Sequence, residues 1–211
     1  MAQCTIYVDR FWISPYAFTA FVALEEKGVS YAVKEVSLGD GEHQDAEYLR
    51  RSVTGRVPML AHGDFSLAES SAIAEYIDEA FDGPRLFPAQ PEERARARQV
   101  MAWIRSDLMA LREERSTTTM FYERAKKGLS TKGQAAADKL TEVASRLIPF
   151  GSTSLFGQWS IADADLGFAL HRLILNGDHV PDTLRDYARR QWERPSVTAF
   201  VQHARPPFEP Y

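Results

Sequence analysis

The sequence predicts a small α/β layer followed by an all-helical half. Three observations carry this prediction. Short β-rich runs alternate with helical ones through the first third of the chain. The stretch Asp82–Gln90, with Gly83, Pro84 and Pro88 inside it, then breaks the pattern. Beyond it the apolar residues recur at helical spacing.

Each element has a local reason. Cys4–Val8 is β-rich and reads as a strand. Ser14–Lys27 reads as a helix: Ser14 can cap it, Pro15 suits its first turn and Gly28 ends it. Phe18, Phe21, Val22 and Val29 lie near one face of that helix or its exit. Tyr31–Val36 is a second strand, and a short helix is expected near Ala46–Arg51. Pro58–Ala61 and Phe65–Ala68 form a hairpin around His62-Gly63-Asp64. Ser70–Phe81 is helical, with Ile73, Tyr76, Ile77 and Phe81 on one stripe. After the linker, Glu92–Glu114 reads as one long charged helix fixed by Trp103, Leu108 and Leu111. Thr131–Ile148, Ala162–Asn176, Asp182–Gln191 and Ser196–His203 follow as helices. The expected domains are 1–82, with strands covered by helices, and 91–211, all-α.

Composition narrows the function classes. The 211 residues are 45% hydrophobic and 26% charged, as in an ordinary globular protein. A net charge of −4 gives no footprint for nucleic acid. The basic clusters Arg94–Arg98 and Arg112–Arg115 are interleaved with acids and read as solvated helix faces. The single cysteine, Cys4, lies within the first strand and reads as a small buried hydrophobe. No signal peptide or membrane-length apolar run is visible, so a cytoplasmic protein with no membrane or nucleic-acid partner is expected. The five histidines are scattered and no metal site is expected. There is no Gly-rich phosphate loop and no nucleophile elbow.

Chemistry concentrates in Arg56–Phe81 and around Ser14. Val57-Pro58 either starts an edge strand or, as a cis bond, turns backbone polar groups toward a ligand. Ser70 opens a helix whose positive end attracts a carboxylate, although it would also serve as a simple cap. Ser14 stands before Pro15 at another helix start, as a cap or as a hydroxyl donor. Ser160-Ile161-Ala162-Asp163 has the form of a capping box with Asp in place of Glu, a folding signal.

In their order and spacing these motifs resemble the glutathione S-transferase family, over essentially the whole chain. The run Phe11–Gly28 is similar to bacterial YfcF-type members. The resemblance implies a thioredoxin-like N-terminal domain and an all-helical C-terminal domain. It implies a cis Val57-Pro58 whose neighbouring backbone holds glutathione as a strand edge would. Glu69 and Ser70 would then take the γ-glutamyl ammonium and carboxylate, and Arg56 the glycine carboxylate. Arg50, Arg51, His43 and Gln44 are further candidates for that last role. Ser14 would be catalytic, holding as thiolate a thiol whose free pKa is about 8.5. Tyr7 and Tyr16 are its rivals. Phe11, Trp12 and Trp103 are expected to line the electrophile pocket.

The implied function is a glutathione transferase acting on small electrophiles, with glutathione as co-substrate and possible peroxidase activity as a companion. Related isomerases share the scaffold. A non-catalytic interaction protein is the alternative class. The family's two-fold symmetry implies a homodimer. Thiol-enzyme relatives carry C-P-x-C where this chain has Ser14-Pro15-Tyr16-Ala17, so dithiol redox chemistry is not expected.

Overall fold

A computed structural model describes residues 3–149 and 151–210. Four strands form one sheet in the order β2-β1-β3-β4. They are β1 (Cys4–Asp9), β2 (Tyr31–Val36), β3 (Met59–His62) and β4 (Phe65–Ala68). β1 and β2 run parallel with Ile6 opposite Val33. β1 and β3 are antiparallel with Ile6 opposite Leu60, and β3 and β4 are antiparallel with Met59 opposite Ala68. This is the expected thioredoxin-like arrangement.

Helix α1 (Pro15–Lys27) connects the parallel pair. Ser14 caps it by accepting the Ala17 N–H at 3.2 Å, and Gly28 closes it at φ +72. The expected single apolar face is too narrow a description. Every residue from Ala17 to Leu24 is buried, because Phe200 covers the outer side and meets both Phe18 and Phe21 edge-on. α2 (Ala46–Arg51) covers the other face of the sheet. There Tyr7, Val36, Tyr48, Met59 and Ala61 form a cluster. α3 (Ser70–Ala80) packs beside α1 through Ile73, Ala74 and Ile77. Each buried isoleucine contributes roughly 1.5–3 kcal/mol.

Seven helices follow among the described residues: α4 (Pro91–Ser106), α5 (Met109–Glu114), α6 (Thr117–Phe121), α7 (Thr131–Leu147), α8 (Ile161–Asn176), α9 (Asp182–Trp192) and α10 (Pro195–Val201). The single helix expected over Glu92–Glu114 is two. α4 ends as Asp107 caps onto the Trp103 carbonyl, and Leu108 leaves helical geometry at ψ 32. α6 was not expected; it is a five-residue element rich in threonine, below the length at which periodicity speaks. Arg115 corrects the reading of Arg112–Arg115 as a solvated face. It is 3% exposed and its guanidinium forks onto Asp178 at 2.6 and 2.9 Å. The Ser160–Asp163 capping box forms as expected. Gly167 lets α8 and α9 approach closely: a Cβ there would meet the Gln191 Cβ at 2.7 Å.

The chain divides into two compact units, Met1–Leu86 with Ala199–Tyr211, and Phe87–Thr198. The segment 199–210 groups with the sheet in this division.

Candidate functional site

β1 runs out at Asp9, and the turn Arg10–Ile13 delivers the chain to Ser14 at the head of α1. Asp9 is 1% exposed. Its carboxylate accepts the Ile13 N–H and the Ser14 N–H, both at 2.9 Å. Burial pushes the Asp9 carboxyl up; those N–H groups and the nearby Arg205 charge partly offset this. Trp12 sits at φ +52, uncommon for a residue with a bulky side chain. Its N–H donates to the Asp9 carbonyl at 2.9 Å, and its indole N–H donates to Glu35 at 2.8 Å.

Ser14 is half-buried, and its oxygen is used as an acceptor by Ala17. A hydroxyl has one proton to give besides its lone pairs, so capping leaves the O–H able to donate elsewhere. The capping and catalytic readings of Ser14 are therefore compatible.

Val57-Pro58 is cis, as the resemblance implied. Val57 lies just outside the paired register, which starts at Met59. Glu69 stands at φ +72 and ψ 110 immediately before α3. A glutamate held there is a strained position of the kind that collects at ligand sites. Its side chain is exposed, while Ser70 is 4% exposed at the first helical position. The first turn of α3 presents N–H groups that have no intrahelical acceptor.

The candidates for the glycine end separate. The Arg51 guanidinium donates to the Tyr7 hydroxyl at 2.9 Å and to Ser66 at 3.3 Å, so it is already engaged. Arg56 is exposed, and its carbonyl accepts the Tyr48 hydroxyl at 2.9 Å. The His43 Nδ1 is buried and has no hydrogen-bond partner among the described residues. Tyr7 belongs to the cluster beneath α2, edge-on to Tyr48, which gives it a packing role.

Phe11 and Trp12, expected at the electrophile pocket, are both buried. They are 7% and 3% exposed, and their rings are covered by the chain itself. Phe208 lies edge-on to Phe11, and the His203 ring stacks on Trp12 at 3.7 Å. Trp103 is half-buried on α4, and its indole donates to Asp107 at 2.8 Å.

Sequence reasoning missed Asp9 and Arg205. A signal for Asp9 did exist: an acid ending an apolar strand five residues before a capping serine. Arg205 carried none, being 193 residues from its partner Trp12.

Family models match both halves of the chain: the glutathione S-transferase N-terminal domain over residues 5–79, and the glutathione S-transferase C-terminal domain over residues 90–205. The chain belongs to the glutathione S-transferase family. A crystal structure of a glutathione transferase homolog from Burkholderia GL BGR1 with bound glutathione is similar at 38% identity. That match covers 96% of this chain and 97% of the other, with a TM-score of 0.77. Glutathione S-transferase 4 of Zea mays is 43% identical over 77 residues, 36% of this chain and 34% of that protein. This chain therefore spans about a third of the maize enzyme. A stringent starvation protein A homolog from Histophilus somni is 27% identical over 96% of this chain and 92% of its own length. Among the described residues no helix is long and apolar enough to cross a membrane.

Proposed function

We propose that the protein is a glutathione transferase of the YfcF type that uses Ser14 to hold the glutathione sulfur as thiolate. The observation that carries this reading is the geometry of Ser14. Its lone pair is committed to the helix cap, its backbone N–H to Asp9, and its hydroxyl proton is left to donate. A charge-assisted O–H···S⁻ bond at the positive end of α1 lowers the thiol pKa and raises the reactive fraction at neutral pH.

Glutathione would run along the Val57-Pro58 edge. Its γ-glutamyl carboxylate would lie at the first turn of α3, and its ammonium at the Glu69 carboxylate. At the glycine end, Arg51 is already engaged, and Arg56 and the unpartnered His43 Nδ1 stand with Arg50 and Gln44 as the groups available. The thiolate attacks an electrophilic carbon, forming the C–S bond while the leaving group departs with its electron pair. With a hydroperoxide it attacks the distal oxygen and releases an alkoxide that takes up a proton. A second glutathione then reduces the sulfenic acid, giving disulfide and water.

Glutathione bound to a relative 38% identical over nearly the whole chain supports the co-substrate. One observation favours a second reading. The similarity to a protein named for stringent starvation, with no transferase in its name, runs the full length. Calorimetric titration with glutathione separates the two: no binding at millimolar ligand would favour a non-catalytic interaction protein. The catalytic test is Ser14→Ala with a chromogenic electrophile. The expected result is a fall in kcat with little change in the KM for glutathione. Unchanged kcat and unchanged thiol pKa would remove Ser14 from the mechanism.

A further inference from the structure

The turn that carries Ser14 is held from two sides. Asp9 holds it from the sheet by taking the Ile13 and Ser14 N–H groups. The other hold comes from the segment after α10. The Arg205 guanidinium donates to the Trp12 carbonyl through Nε at 3.2 Å and Nη2 at 3.0 Å. The same guanidinium caps the end of α10, donating to the carbonyls of Phe200, Val201 and His203 at 2.9–3.0 Å. His203, two residues earlier, stacks on the Trp12 indole with an interplanar angle of 19°. Phe208, three residues later, meets Phe11.

Trp12 is the residue these contacts converge on, and it is one of two non-glycine residues with positive φ among those described. A backbone in that region persists only when its surroundings over-determine it. Releasing the carbonyl clamp lets Trp12 relax toward an ordinary φ. Ser14 lies two residues on, so its hydroxyl moves with the turn. A thiolate acceptor is sensitive to displacements of a fraction of an ångström.

We propose that Arg205 is a positioning residue for Ser14: by tying the end of α10 to the Trp12 carbonyl, it fixes the turn from which the hydroxyl reaches the glutathione sulfur. The inference rests on the transferase reading above. It assigns a catalytic consequence to a residue far from the motifs that define the family. Geometry is what matters, because one planar fork serves four carbonyls and a lysine ammonium of the same charge cannot reproduce it.

The test measures the thiol pKa of bound glutathione from thiolate absorbance against pH, with kcat and KM alongside. It compares the unmodified protein with Arg205→Gln, Arg205→Lys, Ser14→Ala and the double variant Ser14→Ala/Arg205→Gln. Arg205→Gln is expected to raise the thiol pKa by about one pH unit, the shift expected for loss of one charge-assisted hydrogen bond. kcat should fall with it, while the KM for glutathione changes less than about twofold. Arg205→Lys should not restore the pKa, and the double variant should be no worse than Ser14→Ala. A purely structural clamp would lower the melting temperature and leave the thiol pKa of the folded fraction in place, which overturns the proposal. Full rescue by lysine, or additivity in the double variant, also overturns it. If Arg205→Gln does not fold, Arg205→Lys alone decides, since it keeps the cation. An unmoved pKa in Ser14→Ala sinks the Ser14 assignment on which this inference rests. A pKa that moves with Ser14→Ala but not with either Arg205 variant sinks this inference alone.

Discussion

Asp9 and Ser14 are joined by a hydrogen bond of 2.9 Å from the serine N–H to a carboxylate that is almost completely buried. The bond fixes where α1 begins, and hence where the Ser14 hydroxyl points. Asp9→Ala removes the acceptor for two backbone N–H groups, Ile13 and Ser14, and should cost about 2–4 kcal/mol of stability. Asp9→Asn keeps one acceptor and turns an amide N–H toward the other donor, so it should be nearly as harmful. On the transferase reading proposed above, both should lower kcat beyond the loss of folded protein. Activity normalised to the folded fraction, measured by circular dichroism at the assay temperature, checks this. Normal activity per folded molecule would restrict Asp9 to a folding role.

The Lys27 ammonium donates to the Asp78 carboxylate at 2.9 Å and to the Asp78 carbonyl at 3.0 Å, with the lysine side chain 4% exposed. The same carboxylate accepts the Leu86 N–H at 2.8 Å, which anchors the exit from the sheet unit. Removing one member of a buried pair strands the other charge. Lys27→Met should therefore destabilise by about 3 kcal/mol, and Lys27→Met with Asp78→Leu should recover part of that. Denaturant titrations of the three proteins measure it; equal midpoints for Lys27→Met and the parent would show that the pair contributes nothing.

His171 gives a pH dependence with a definite sign. It is buried on α8, stacked on Trp192 at 3.9 Å, with Nδ1 donating to the Gly167 carbonyl at 2.8 Å. Burial moves its pKa from 6.5 down to about 4. The unfolded chain thus takes up a proton that the folded chain refuses until about pH 4. This contribution to stability is complete above the unfolded value and is lost as pH falls toward 4, by on the order of 3 kcal/mol. Buried Asp9 and Asp163 are pushed up, and act with the opposite sign in acid. The informative quantity is therefore the difference from His171→Phe, which keeps a ring against Trp192 and does not titrate. That difference should shrink in acid; a constant offset from pH 7 to 4 would refute the assignment.

The fold was legible where local chemistry and packing agree. Ser14, Pro15 and Gly28 delimit α1 in the sequence as they do in the structure, and Ile73 and Ile77 mark the buried side of α3. What escaped was set by distant partners. Leu108 and Leu111 fit one continuous helix, yet the chain turns at Asp107. Phe11 and Trp12 are expected at an electrophile pocket, and their burial comes from distant partners: Phe208 beside Phe11, and Phe21, Phe200 and His203 around Trp12. Arg115 reads like the charged residues around it, yet it is buried and paired with Asp178, 63 residues away. The candidate site divides in the same way. Ser14, Val57, Pro58, Glu69 and Ser70 could be picked out from motif order, whereas Arg205 and Asp9 act through backbone groups that no side-chain pattern reports.

Asp163 separates folding from ligand binding in the helical unit. Its carboxylate accepts four donors: the Leu155 N–H at 2.7 Å, the Ser160 N–H at 2.8 Å, the Ser160 hydroxyl at 2.9 Å and the Tyr187 hydroxyl at 2.7 Å. Burial pushes its own pKa up, and those donors work against that shift. Asp163→Ala leaves four buried groups without their acceptor and should cost at least about 3 kcal/mol, or roughly 10 °C in Tm for a chain of this size. Asp163→Asn, which keeps one oxygen, should fall between. All four donors lie between residues 155 and 187, within one compact unit, and none belongs to the Ser14 or Ser70 motifs. Calorimetric titration below the onset of unfolding should therefore return the parent's glutathione affinity per folded molecule. An unchanged Tm would contradict the folding role, and a loss of affinity in fully folded protein would move Asp163 into the ligand site.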